Sequence, residues 1–114
     1  DEDEKADVAA TMQELAEDGE SRVAIAAAGG IEVLVSLARD GNEAQKERAA
    51  GALRNLADND DNSAAIAAAG GIEVLVSLAR DGNEGQKENA AVALWNLSIN
   101  DDNKVAIAAA GGIE

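Results

Sequence analysis

The stretch IEVLVSLARDGNEAQKERAAGALRNLADNDDNSAAIAAAGG at residues 31–71 returns as IEVLVSLARDGNEGQKENAAVALWNLSINDDNKVAIAAAGG at residues 72–112. Laying 31–73 over 72–114 leaves 35 of 43 positions identical, so the two copies encode one structure. The differing pairs are 44/85, 48/89, 51/92, 54/95, 57/98, 58/99, 63/104 and 64/105. A more diverged copy precedes them, in which Lys5, Leu15, Ile25, Gly29 and Gly30 fall on Lys46, Leu56, Ile66, Gly70 and Gly71. A period between 20 and 50 residues means one supersecondary unit stacked on its neighbours, with the core running between units. Function is then expected on a surface that recurs.

Each unit reads as helices. Asn42 with Gln45 three residues later, and Asn83 with Gln86, form an Asn variant of the capping box. Ala49, Leu53 and Leu56 follow at i, i+4 and i+7, the spacing of one helical face. After the polar stretch Asp58 to Asn62, SAAIAAA favours a second helix, which Gly70 and Gly71 stop. IEVLVSLARDG is apolar on nearly all sides except Glu32 and Ser36, which predicts a buried helix. Ile31, Val33, Val35 and Leu37 also alternate with period two, so the pattern by itself leaves a strand open.

Composition bounds the rest. The chain has 114 residues, enough for one domain with a core only if the units stack. It lacks cysteine and histidine, which excludes disulfides, thiolate metal sites and Ser-His-Asp or Cys-His catalysis. No apolar run approaches the roughly 18 residues of a membrane span, and no secretory leader pattern is present, so the chain reads as soluble. The net charge is −14, of which the first 20 residues contribute −8. Such a polyanion repels phosphate backbones and acidic bilayers, so neither nucleic acid nor membrane is expected, while basic partners are permitted. Acids at 1–4 also suit a helix N-terminus. The run DNDDN at 58–62 fails the calcium-loop pattern, because Ser63 stands where glycine is required and Ala69 where the bidentate glutamate belongs. No cofactor is expected.

The segments GGIEVLVSLARDGNE at 70–84, ENAAVALWNLS at 88–98 and NDDNKVAIAAAGGIE at 100–114 resemble Armadillo repeats, most closely those with a GGI junction and an L-x-N-L motif. The resemblance implies an all-α, right-handed superhelical solenoid with three helices per 41-residue repeat: a short first, a buried second and a long third helix lining a concave groove. It settles IEVLVSLA as helix. Residues 1–114 are then one solenoid, divided into a partial repeat at 1–30, a repeat at 31–71, and a repeat at 72–114 that runs into a truncated unit. The near identity of the copies and the narrow composition suggest an engineered, consensus-like or ancestor-like array, with a recent natural duplication as the alternative.

In the long helix the differing positions 44, 48, 51, 54 and 58 step by 4, 3, 3 and 4, drawing one stripe opposite Ala49, Leu53 and Leu56. The resemblance places this stripe in the groove, which in Armadillo proteins takes extended peptides or partner proteins. The candidate binding residues are Arg48, Gly51, Arg54, Asn55 and Asp58 in one copy and Asn89, Val92, Trp95, Asn96 and Ile99 in the next, with Glu14 in the first. By the resemblance, Asn55 and Asn96 hold a peptide main chain, which an amide suits because it donates and accepts at once. They are expected to be exposed, as is an apolar stripe of Val92, Trp95 and Ile99 with Trp95 as anchor. The expected function is a non-catalytic peptide-binding or scaffold module with an extended, basic ligand. The alternative is a minimal repeat building block without a natural ligand, self-associating through a C-terminal end that exposes Val105 and Ile107.

Overall fold

The computed structural model describes residues 29–58 and 60–110. Six helices occupy them: α1 Gly30–Asp40, α2 Glu43–Leu56, α3 Asp60–Ala68, α4 Gly71–Asp81, α5 Glu84–Leu97 and α6 Asp101–Ala109. No strand occurs among the described residues. Each of the first three helices recurs 41 residues later with the same length. Glu14, the rest of the first unit before Gly29 and the final four residues lie outside the described residues.

The alternation in 31–37 yields to helical periodicity for a packing reason. Ile31, Leu34, Val35 and Ala38 are buried, at i, i+3, i+4 and i+7, whereas Val33 is 46% exposed and Leu37 only half-buried. The expectation of a helix buried all round therefore holds for α4, where Val74, Val76 and Leu78 are buried, and fails in α1 at Val33. The capping boxes form as the sequence predicts. The Gln45 amide donates to Asn42 Oδ1 at 2.9 Å and the Asn42 amide to Gln45 Oε1 at 2.8 Å, with the same pair closed at Asn83 and Gln86.

Two boundaries differ from expectation. The short helices begin at Asp60 and Asp101 rather than after Asn62 and Asn103, because acids in a first turn complement the helix dipole. The long helices end at Leu56 and Leu97, so Asp58 and Ile99 sit in the following turns and not on the helix.

The glycine pair turns α3 into α4 through 84°. Gly70 takes φ 84°, the left-handed region that side chains resist. Gly71 has a different reason, since a Cβ there would meet Ile66 Cγ2 and lie 2.8 Å from the Ile66 carbonyl oxygen. The second helix of each triplet lies against the third, α1 on α2 and α4 on α5, and α2 lies along α5. Leu34, Leu53, Leu56, Ile66, Leu75 and Leu97 are fully buried in one core continuous through both triplets. Among the described residues no single helix is long and apolar enough to cross a membrane.

Candidate functional site

The side-by-side seating of α2 and α5 is fixed by carboxamides. Gln86 Nε2 donates to the Glu43 carbonyl at 2.9 Å, Asn89 Nδ2 to the Glu47 carbonyl at 3.1 Å, and Asn96 Nδ2 to the Arg54 carbonyl at 3.0 Å. The acceptors at 43, 47 and 54 follow helical spacing along one side of α2. A carbonyl inside the helix already accepts an amide N–H four residues on and offers its second lone pair to a neighbour, as at 43 and 47. Arg54 stands in the last turn, where the Asp58 N–H bonds Asn55, so its carbonyl is one of those the helix end leaves to an outside donor. Asn83 Nδ2 adds a bond to Glu43 Oε2 at 3.1 Å. The long helices are thereby held in register by donors that no carboxylate could replace.

Gln86 is buried and engaged at both ends, its oxygen in the capping box and its nitrogen on α2. Sequence reading assigned it only to the cap. The available signal was that glutamine, rather than glutamate, stands at that position in both described copies.

Asn89 is likewise engaged at both ends, because its Oδ1 accepts from Arg54 Nη1 at 3.2 Å. It braces the wall of the stripe and also positions the Arg54 guanidinium. Arg48, its counterpart on α2, is exposed and has no ion-pair or hydrogen-bond partner for its side chain among the described residues.

Asn55 and Asn96 are half-buried, not exposed as expected; Asn96 stands at the edge where α5 meets α2. Asn96 spends one amide hydrogen on Arg54. Its second hydrogen and its Oδ1 have no partner among the described residues.

Gly51 is buried, a correction to its expected place on an open stripe: without a side chain its surface lies below its neighbours. Val92 is half-buried, while Trp95 is 72% and Ile99 66% exposed. The apolar surface thus consists of Trp95 and the turn residue Ile99, beside exposed Glu88. The Ser98 hydroxyl donates to the Trp95 carbonyl at 2.7 Å and ties that turn to the helix end. Asp58 is exposed.

At the other candidate surface Val105 is 72% exposed, but Ile107 is only 3% exposed, contrary to expectation. Ile107 repeats Ile66 and is packed into the core, with α6 seated against α4 and α5. No group of three or more acids able to hold a metal ion occurs among the described residues. A hollow of mixed charge, lined by Arg39, Lys46, Glu73 and Ser77, lies away from the stripe beside the start of α4.

A family model for the Armadillo/beta-catenin-like repeat matches residues 20–58 and 59–99. No curated protein matches the chain. Among solved structures, an engineered protein superposes with TM-score 0.93 at 36% identity, over 98% of this chain and 47% of that one. A computationally designed armadillo repeat protein for modular peptide recognition gives TM-score 0.93 at 27% identity, over 99% and 49%. A designed armadillo repeat protein in complex with the peptide (KR)4 gives 0.83 at 26%, over 90% and 44%. The chain spans about half the length of these relatives.

Proposed function

Because the chain belongs to the Armadillo/beta-catenin-like repeat family, we propose that it is a non-catalytic binding module that takes an extended peptide along the face shared by α2 and α5. The observation that carries this reading is Asn96. One of its hydrogens sets the helix register, and the remaining N–H and oxygen stand ready for a backbone carbonyl and amide of a bound chain. Asn55 is the equivalent residue in the preceding repeat, and Glu14 occupies that position in the first unit.

The ligand is cationic overall, as the net charge of −14 favours, and the (KR)4 complex of a designed relative supports that sign. Arg48 and Arg54 call for one acidic side chain in it, and Trp95 for an apolar or cationic one. Asp58 and Ile99 extend the face beyond the helix ends, Gly51 and Val92 form its floor, and Asn89 braces its wall. Two amide rungs and one aromatic ring predict micromolar to millimolar affinity, roughly 4 to 8 kcal/mol.

The test is a peptide-library selection followed by titration of the Asn55→Ala, Asn96→Ala double variant. Binding that is unchanged while helicity persists would remove the asparagines from recognition. The exposure of Trp95, Ile99 and Val105 favours a second reading, a repeat building block that self-associates through its C-terminal side. Its mark is a mass that rises with concentration and with added salt, which screens like charge.

A further inference from the structure

Away from the peptide face, two successive repeats wall a hollow of about 300 Å³, the small end of the range that ligand sites occupy. Arg39 in the last turn of α1 and half-buried Lys46 on α2 come from one repeat, exposed Glu73 in the first turn of α4 and Ser77 one turn on come from the next, and buried Val74 and Leu78 line it as well. Lys46 stands two residues before Arg48, roughly 200° round α2, so the hollow and the peptide face lie on opposite sides of that helix. The Arg39 guanidinium reaches across to the start of α4, since a Cβ on Gly70 would lie 3.8 Å from its Nη2. Opposite charges thus line one hollow without meeting. Among the described residues the side chains of Arg39, Lys46, Glu73 and Ser77 have no ion-pair or hydrogen-bond partner, and neither cation comes within 4.0 Å of the Glu73 carboxylate. In a chain whose acids outnumber its cations 23 to 9, these two cations are left to an anionic ligand.

We infer that this hollow is a binding site for a free acidic α-amino acid, whose two carboxylates and one ammonium complement the two cations and one carboxylate that line it. One ligand carboxylate takes the Arg39 guanidinium through two parallel N–H donors, the second takes the Lys46 ammonium, and the ligand ammonium pairs with Glu73. The Ser77 hydroxyl donates to a carboxylate or accepts from the ammonium. Selection follows from Glu73, because a plain dianion meets that carboxylate as a like charge and a plain amine meets Arg39 and Lys46 as like charges. The walls belong to different repeats, so an occupant also braces their stacking, and a ligand that binds only the folded chain raises its stability. The inference is independent of the peptide reading, since none of its residues lies on that face.

The experiment titrates the full nitrogen-15-labelled chain with L-glutamate, with glutarate, which lacks the ammonium, and with inorganic phosphate, at low ionic strength where exposed charges are screened least. The backbone amides of Gly70, Glu73 and Ser77 are followed. Three variants accompany the parent: Glu73→Gln, the double variant Arg39→Gln, Lys46→Gln, and a control, Arg80→Gln, Lys87→Gln, which makes the same charge change at the counterparts in the next copy, outside this hollow. The parent is expected to bind glutamate about threefold to fivefold more tightly than glutarate, the size of one exposed charge pair, and Glu73→Gln to reverse that order. The double variant should lose about tenfold in glutamate affinity, and the control under about twofold. Glutamate should also raise the melting midpoint of the parent and leave that of the double variant unmoved. Glutarate or phosphate binding the parent as tightly as glutamate would reduce the hollow to a general anion site and overturn the inference. An equal loss in the control would assign the effect to net charge and overturn it too, as would the absence of saturable shifts at Gly70, Glu73 and Ser77. Should the double variant lose helicity, the reversal in Glu73→Gln decides alone, and an unreversed order overturns the inference.

Discussion

Gln86 concentrates two jobs in one buried side chain, closing the cap of α5 and bonding the Glu43 carbonyl, and its amide nitrogen also lies 3.3 Å from Glu43 Oε2. Gln86→Glu is predicted to cost about 2 kcal/mol, since a buried acceptor loses its donor and a carboxylate is placed against another. Urea denaturation should reveal this as a lowered midpoint with an unchanged slope. The glycine pair separates by mechanism. Gly70→Ala strains φ alone and should cost about 1–2 kcal/mol. Gly71→Ala forces apart α3 and α4 at Ile66 and should cost more, as measured by the same denaturation. The sequence made the turn at this pair legible, but not that its two members serve different purposes, because the second depends on how closely Ile66 approaches.

At the scale of the element, capping boxes and apolar spacing placed the long helices, the alanine-rich runs before the glycine pair placed the short ones, and α1 and α4 needed the family resemblance to be read as helix; the edges were misjudged. Asp60, Asp61 and Asn62 read as a polar link and are helical, since polarity marks a first turn as readily as a loop. Ile99 read as belonging to the stripe and lies in a turn, since periodicity continues on paper after the last helical bond is made. The partner helix was the larger omission. Asn89 looked like a variable groove residue, yet it is engaged at both ends between Glu47 and Arg54, and only the facing helix reveals that.

The first turn of α5 offers a converse test. At Gly85 a Cβ would meet only the side chain of Glu47, whose carboxylate can swing to solvent, and the other copy already has Ala44. Gly85→Ala is predicted to stabilise by about 0.5 kcal/mol through helix propensity. In a thermal melt this raises the midpoint by about 2–4 °C.

For the whole molecule, the period made the solenoid and its long-helix face legible, while the division of labour along that face was not. The same residue type, asparagine, is engaged at both ends as a brace at 89 and keeps one N–H and its oxygen available at 96, a distinction set by the Arg54 guanidinium, which bonds the Asn89 oxygen. The central claim is that this remaining capacity, with Trp95 beside it, receives a peptide. The most direct measurement is an NMR titration of the nitrogen-15-labelled chain with an extended Lys/Arg peptide carrying one central glutamate, following side-chain amide and indole resonances. The account predicts saturable shifts of the Asn96 side-chain amide and the Trp95 indole N–H, with the amides of α1 and α4 unmoved. Shifts confined to the hollow of Arg39, Lys46, Glu73 and Ser77, or no shift at Asn96 and Trp95 at millimolar peptide, the weak end of the roughly 4 to 8 kcal/mol expected, would contradict it.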